Sequence, residues 1–377
     1  TAIGLFALLF AGTWPLVGQS AGGQMRPADW AALRFTLWQA LLSALICCAL
    51  AMPLARALSR RSFWGRSALI RLLSAPFILP SMAAILGLLA VFGRQGPISA
   101  LLGWAGLHPL PIFGLGGVLL AHVFLNLPLA TRMLLQGWAA IPSERFRLAQ
   151  NLGFGPYAIF RHLELPMLRS QIPSIFAAIF MICLTSFAVA LILGGGPRAS
   201  TVELGLYQAL RFDFDLSRAA MLALVQITLC AAAIALVALV WRPAPFGTGL
   251  DRARSYIGAR GTRGLDAAII ICAALFLLMP LAMIVLRGGQ QLADMPSSFL
   301  PAAARSVLVA LAAAALGVGA ALTLALARAR GAGIWCEVAA MLPLGTSSLA
   351  LGTGLFLATR AAIAPQTLTL PLAIVLN

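Results

Sequence analysis

Long apolar runs, uninterrupted by charge, decide what this chain can become. Residues 219–241 contain no Asp, Glu, Lys, Arg or His, and neither do residues 306–327. About twenty such residues cross the hydrocarbon of a bilayer as a helix. Lipid offers no hydrogen bonds, so only helices and closed barrels satisfy their own backbone there. The runs lack the period-two alternation of barrel strands, which leaves helices. Composition agrees. The 377 residues are 61% hydrophobic and 10% charged, with mean hydropathy +0.97, whereas soluble folds carry about 25% charged residues. The expected fold is all-α, a polytopic transmembrane helical bundle.

Apolar windows place spans near 1–18, 32–55, 69–92, 113–135, 170–193, 218–241, 266–286, 304–327, 337–359 and 367–377. Both ends fall inside apolar runs, so a longer parent chain is expected, and no signal-peptide cleavage pattern is present. The net charge is +16 and every basic residue is Arg. These Arg residues sit in short loops between spans, which argues against nucleic acid as a partner and for a lipid bilayer. Arg is nearly twice as abundant on the side holding 56–68, 136–169 and 242–265, which makes that side cytoplasmic. The six Cys lie in or beside spans without a C-x-x-C pair and read as small hydrophobes. No metal site is expected.

The chain repeats itself. Trp14-Pro15-Leu16 matches Met279-Pro280-Leu281, and Pro76–Gly87 aligns with Pro343–Gly354, including Ser81 with Ser348 and Ala83 with Ala350. Six spans separate the copies, so both point the same way, as in a parallel repeat. The expected organisation is a first half, 1–241, a cytoplasmic linker, 242–265, and a second half, 266–377, that stops before its own copy of the long loop.

That loop, 142–166, is polar between two spans. Pro142-Ser143 suits a helix start, and Phe146, Ala149 and Leu152 recur at helical spacing. Gly153-Phe154-Gly155 ends this helix. Pro156 opens a second, striped by Tyr157, Phe160 and Leu163, which Pro166 is expected to stop. Such a knob could lie on the lipid surface or be held by a partner.

The spacing Leu148-Ala149-x-x-Leu152-Gly153, then nine residues, then Leu163-Glu164-Leu165-Pro166 resembles the EAA motif of prokaryotic ABC importer permeases. The resemblance implies a type I importer permease fold. It makes Arg147, Leu148, Ala149, Leu152, Gly153, Leu163, Leu165 and Pro166 the coupling loop, seated in a groove of a cytosolic ABC ATPase dimer. Arg147 and Leu148 stand where the family usually has Glu and Ala, so a salt bridge from that Glu is not expected.

Residues 194–215 run Gly194-Gly195-Gly196-Pro197, Thr201-x-Glu203-Leu204, Tyr207-Gln208-Ala209-Leu210-x-Phe212-Asp213-Phe214-Asp215. They resemble the thiamine-import branch of the family. Ferric-iron permeases, with the same fused plan and a related Gly-rich turn, stay open. The resemblance implies thiamine or its phosphates as small-molecule substrate, a periplasmic solute-binding protein, and location in a bacterial inner membrane. It also implies that ATP and Mg are used by the ATPase, with no cofactor on this chain. Gly194, Gly195, Gly196, Glu203, Tyr207, Asp213 and Asp215 fall on the outer face, as a binding-protein contact or simply a solvated helix.

Inside the spans, His122 and Asn126 lie one turn apart, and Thr185 and Ser186 could join them. They either bond helix to helix or line a translocation path. No Asp or Glu falls deep in any predicted span, so a secondary transporter would have little to couple to ion flow. No H-E-x-x-H, G-x-S-x-G or Walker A pattern occurs, so no catalytic residues are expected and energy must come from a partner.

Overall fold

The computed structural model describes residues 13–73, 75–196, 199–240, 260–290, 295–331 and 347–360. Most of the span 1–18, linker residues 242–259, the start of the span 337–359, the final span 367–377, Cys336, Pro197 and the Pro343 end of the repeat lie outside the described residues.

Every regular element described is helical. A stretch at 13–20 precedes α1 (Pro27–Arg60) and α2 (Arg66–Leu72). Then follow α3 (Ser81–Phe92), α4 (Pro97–Trp104), α5 (Leu115–Ala139), α6 (Ser143–Asn151) and α7 (Pro156–Leu168). Next come α8 (Ile172–Leu184), α9 (Phe187–Leu193), α10 (Val202–Arg211) and α11 (Leu216–Val240). The last are α12 (Arg263–Gln290), α13 (Phe299–Ala329) and α14 (Ser348–Arg360). Six helices are long and apolar enough to cross a membrane, and the α7–α8 pair, bent by 60°, makes a seventh candidate.

Two predicted spans are broken. The window 69–92 is not one helix: α2 ends at Leu72, a short turn spans Ala75–Ile78, and the crossing is Ser81–Trp104. Pro76 and Pro80 each lack an N–H and crowd the preceding turn. The window 170–193 is interrupted at Thr185 and Ser186, between α8 and α9.

The core forms because α1 presents small residues every turn. Ala40, Ala44, Cys47, Ala51 and Ala55 are fully buried against Ala121, Phe124, Ile175 and Ile179 of α5 and α8. Small side chains let backbones approach closely, which is how helices associate when the surroundings are already apolar. Where α8 stops, its last carbonyls lose their helical donors inside the apolar core. Gln39 of α1 donates to the Cys183 carbonyl at 2.8 Å, and Gln226 of α11 donates to that of Leu184 at 3.1 Å. Side chains from two other helices thus replace the missing helical bonds.

The later helices dock on the earlier ones reciprocally. α12 crosses α3 at Gly87, where a Cβ would strike Ile284 and the Pro280 carbonyl. Phe276 of α12 meets Phe124 and Phe92, and Arg61 at the end of α1 pairs with Asp266 at 2.7 Å. Conversely, Leu16 shares a buried cluster with Ala350 of α14, which packs on α11. The sequence repeat aligns Leu16 with Leu281 and Ala350 with Ala83.

Gln39→Leu removes the donor to the Cys183 carbonyl, and an orphaned buried acceptor costs about 1–3 kcal/mol. The expected result is a lower melting temperature for the detergent-solubilised protein, with Gln226→Leu lowering it similarly; unchanged melting in both variants would contradict this role.

Candidate functional site

The loop folds as two helices around a glycine corner. Ser143, Phe146 and Ala149 of α6 are buried toward the bundle. Arg147 faces away with Leu148, which is 60% exposed. Leu152, third in the apolar series Phe146, Ala149 and Leu152, follows the end of α6 at Asn151 and is 63% exposed. Gly153 takes φ +72, a left-handed conformation that glycine adopts freely, and Phe154 N–H closes the end by donating to the Ala149 carbonyl at 2.9 Å.

In α7 the buried residues are Ile159, Glu164 and Leu168, with Leu163 half-buried, while Tyr157 is 70% exposed. Pro166 does not stop this helix, which continues to Leu168. A π-helical turn over Phe160–Glu164 precedes it. That turn widens the helix where the proline ring would meet the carbonyl four residues back. Leu165 and Pro166 thus lie inside α7, not at its end.

Sequence reasoning missed the group that holds this loop. Arg56, near the end of α1, donates through Nε to Glu164 Oε2 at 2.7 Å and through Nη2 to the Pro156 carbonyl at 2.8 Å. Its guanidinium also stacks 4.2 Å from the Phe160 ring centroid. One side chain thereby fixes the start and middle of α7 to α1. The available signal was Glu164 itself, an acid between two leucines, which needs a partner once buried.

His122 bonds at both ring nitrogens, Nδ1 to Ser43 Oγ and Nε2 to Ser186 Oγ, each at 2.9 Å. Asn126 donates to the His122 carbonyl at 3.0 Å and to Cys183 Sγ at 3.5 Å. Thr185 Oγ1 turns back to the Met181 carbonyl at 3.3 Å. These four residues therefore lie together at the junction of α1, α5 and the α8–α9 break; His122, Asn126 and Ser186 bond helix to helix in this conformation, whereas Thr185 bonds back within its own helix.

The residues of 194–215 separate into two groups. Asp213 and Asp215 belong to an ionic cluster: Arg218 contacts Asp29 and Asp213, each at 2.7 Å, and Arg26 reaches Asp215 at 3.3 Å. Phe214, at φ 53, makes the tight turn between the two acids. Gly194, Gly195 and Gly196 form the turn after α9, with Gly195 beside Phe113.

Glu203 is different, and neither a solvated helix nor a surface contact describes it. Val202 N–H donates to Thr36 Oγ1 at 2.9 Å, about 14 Å along α1 from Pro27 at 1.5 Å per residue. α10 therefore begins deep and rises along α11 to the ionic cluster. Glu203 is 3% exposed. Tyr207, one turn on, packs against Phe187 and Phe212 with ring centroids 5.1 and 5.8 Å away. A half-helix dipping inward escapes any search for twenty-residue spans, so this acid was assigned to the surface.

Residues 48–242 match the family described as binding-protein-dependent transport system inner membrane component. The chain is similar to thiamine transport system permease protein ThiP from several bacteria. It is 42% identical to that of Escherichia coli (strain K12) over 87% of this chain and 63% of the relative. It is 46% identical to that of Salmonella typhimurium over 69% and 49%, and 40% identical to that of Brucella abortus (strain 2308) over 69% and 48%. The chain thus spans less than two thirds of the length of these relatives. It belongs to the family of binding-protein-dependent transport system inner membrane components, and is a multi-pass membrane permease.

Arg56→Ala strands Glu164 as a buried charge, which costs about 3 kcal/mol or more. Limited proteolysis is expected to cut residues 142–168 faster in this variant, and Arg56→Ala with Glu164→Leu is expected to recover part of the protection, because removing both partners leaves no stranded charge.

Proposed function

We propose that this chain is the permease of an ATP-driven importer that carries thiamine or its phosphates across a bacterial inner membrane. A loaded periplasmic binding protein docks outside, and a cytosolic ABC ATPase dimer docks on the 142–168 loop. ATP and Mg are used by the ATPase, and this chain converts the ATPase's closure into movement of its helices. The observation that carries this reading is the loop: Leu148 and Leu152 stand exposed on a knob whose base is clamped to α1 by Arg56 and Glu164. Exposed apolar side chains on a rigid base suit a partner's groove better than water. The cargo rests on the relatives, which are named for thiamine transport.

The two-half organisation is part of the proposal. The reciprocal packing of α12 on α3, and of Leu16 against α14, supports a permease dimer fused into one polypeptide. Separation of the halves at this seam would open the path to one side or the other.

Leu148→Asp places a charge on the docking face without touching the core. Co-purification of the ATPase is expected to fall roughly tenfold or more, the equivalent of losing about 1.4 kcal/mol of docking energy, while membrane insertion is unchanged. Gly153→Leu is expected to act likewise by straining the corner. Retained ATPase association in both variants would refute the coupling role, and absence of labelled-thiamine uptake by the reconstituted complex would refute the cargo.

A further inference from the structure

Four acidic side chains are buried among the described residues: Asp29, Glu164, Glu203 and Asp266. Three sit against an arginine, Arg218, Arg56 and Arg61 respectively. Glu203 has no ion pair among the described residues, and its Oε1 has no hydrogen-bond donor. It lies in the first turn of α10, packed against α11 and α14, with the Ser347 hydroxyl in reach. This is the seam where the first half meets the second. Gln226 of α11 spends its Nε2 on the Leu184 carbonyl and also leaves its Oε1 without a donor. Two buried acceptors on one packed helix pair therefore lack partners, beside a cluster of aromatic rings.

An unmatched carboxyl in an apolar seam is unfavourable by several kcal/mol as the ion, and within membranes such groups mark ion or substrate pathways. The positive charge that completes it can come from a cargo. We infer that Glu203 is the counter-charge for an organic cation crossing the seam between the halves, with Gln226 Oε1 accepting an N–H from it and the Tyr207 ring facing it. The inference rests on the proposed cargo: thiamine carries a permanently cationic ring and an amino group. A carboxylate supplies attraction for the charge, an amide oxygen suits the amine, and an aromatic face adds cation–π contact. The seal over Glu203 in this conformation requires the halves to part before the cation can reach it.

The test uses the complete transporter with its ATPase in proteoliposomes, supplied with saturating thiamine-loaded binding protein. Glu203→Gln keeps the shape and removes the charge, whereas Glu203→Asp keeps the charge. Thiamine uptake is expected to fall about tenfold in E203Q and to stay above half of wild type in E203D, with both variants still co-purifying with the ATPase. Unimpaired uptake by E203Q would overturn the inference alone. An equal loss in both variants would also overturn it, because that pattern reports packing and not charge. No uptake by the wild-type complex would instead overturn the cargo reading, and this inference with it.

Discussion

A backbone carbonyl facing hydrocarbon costs several kcal/mol, and the interruption at Thr185 and Ser186 is where this fold meets that constraint most sharply. Amide side chains from α1 and α11 supply the donors that the broken helix lacks. Ser186 in turn fixes His122, and His122 fixes Ser43. The interruption is therefore a node: α1, α5, α8, α9 and α11 are registered against one another through it. Small residues and apolar packing bring these helices close. Here the hydrogen bonds set the register.

The ionic contacts divide the molecule differently. Asp29 with Arg218, Glu164 with Arg56, and Asp266 with Arg61 each join segments distant in sequence and close a junction between elements. Each lies near the end of a long helix, where charge is less unfavourable than at mid-depth. Glu203 sits deeper and on a half-helix, and it departs from that pattern. The contrast is the reason it reads as part of the pathway and not as part of the frame.

How much of this was legible in the residues depended on sequence distance. Helical class and the two-helix loop follow from local patterns and are present where the described residues cover them, and most of the covered spans follow too, the exceptions being the windows 69–92 and 170–193, which are interrupted. The helix break was not legible, because Ser and Thr sit in many intact helices and the deciding donors lie 144 and 42 residues from the carbonyls they satisfy. The clamp was hidden for the same reason, with 108 residues between Arg56 and Glu164. Pro166 misled because a π-turn relieves the clash that normally ends a helix. Glu203 misled because the Gly194–Gly196 turn looks like any exposed loop, and only the bond from Val202 to Thr36 shows that the chain dips back inward.

α1 runs unbroken over 34 residues, Pro53 included, and carries an ion pair near each extremity. From Asp29 to Arg56 the axial distance is about 40 Å at 1.5 Å per residue. The loop and the ionic cluster thus hang on one continuous helix, so a rigid-body shift of α1, were it to occur, would move both together without a relay of intermediate contacts.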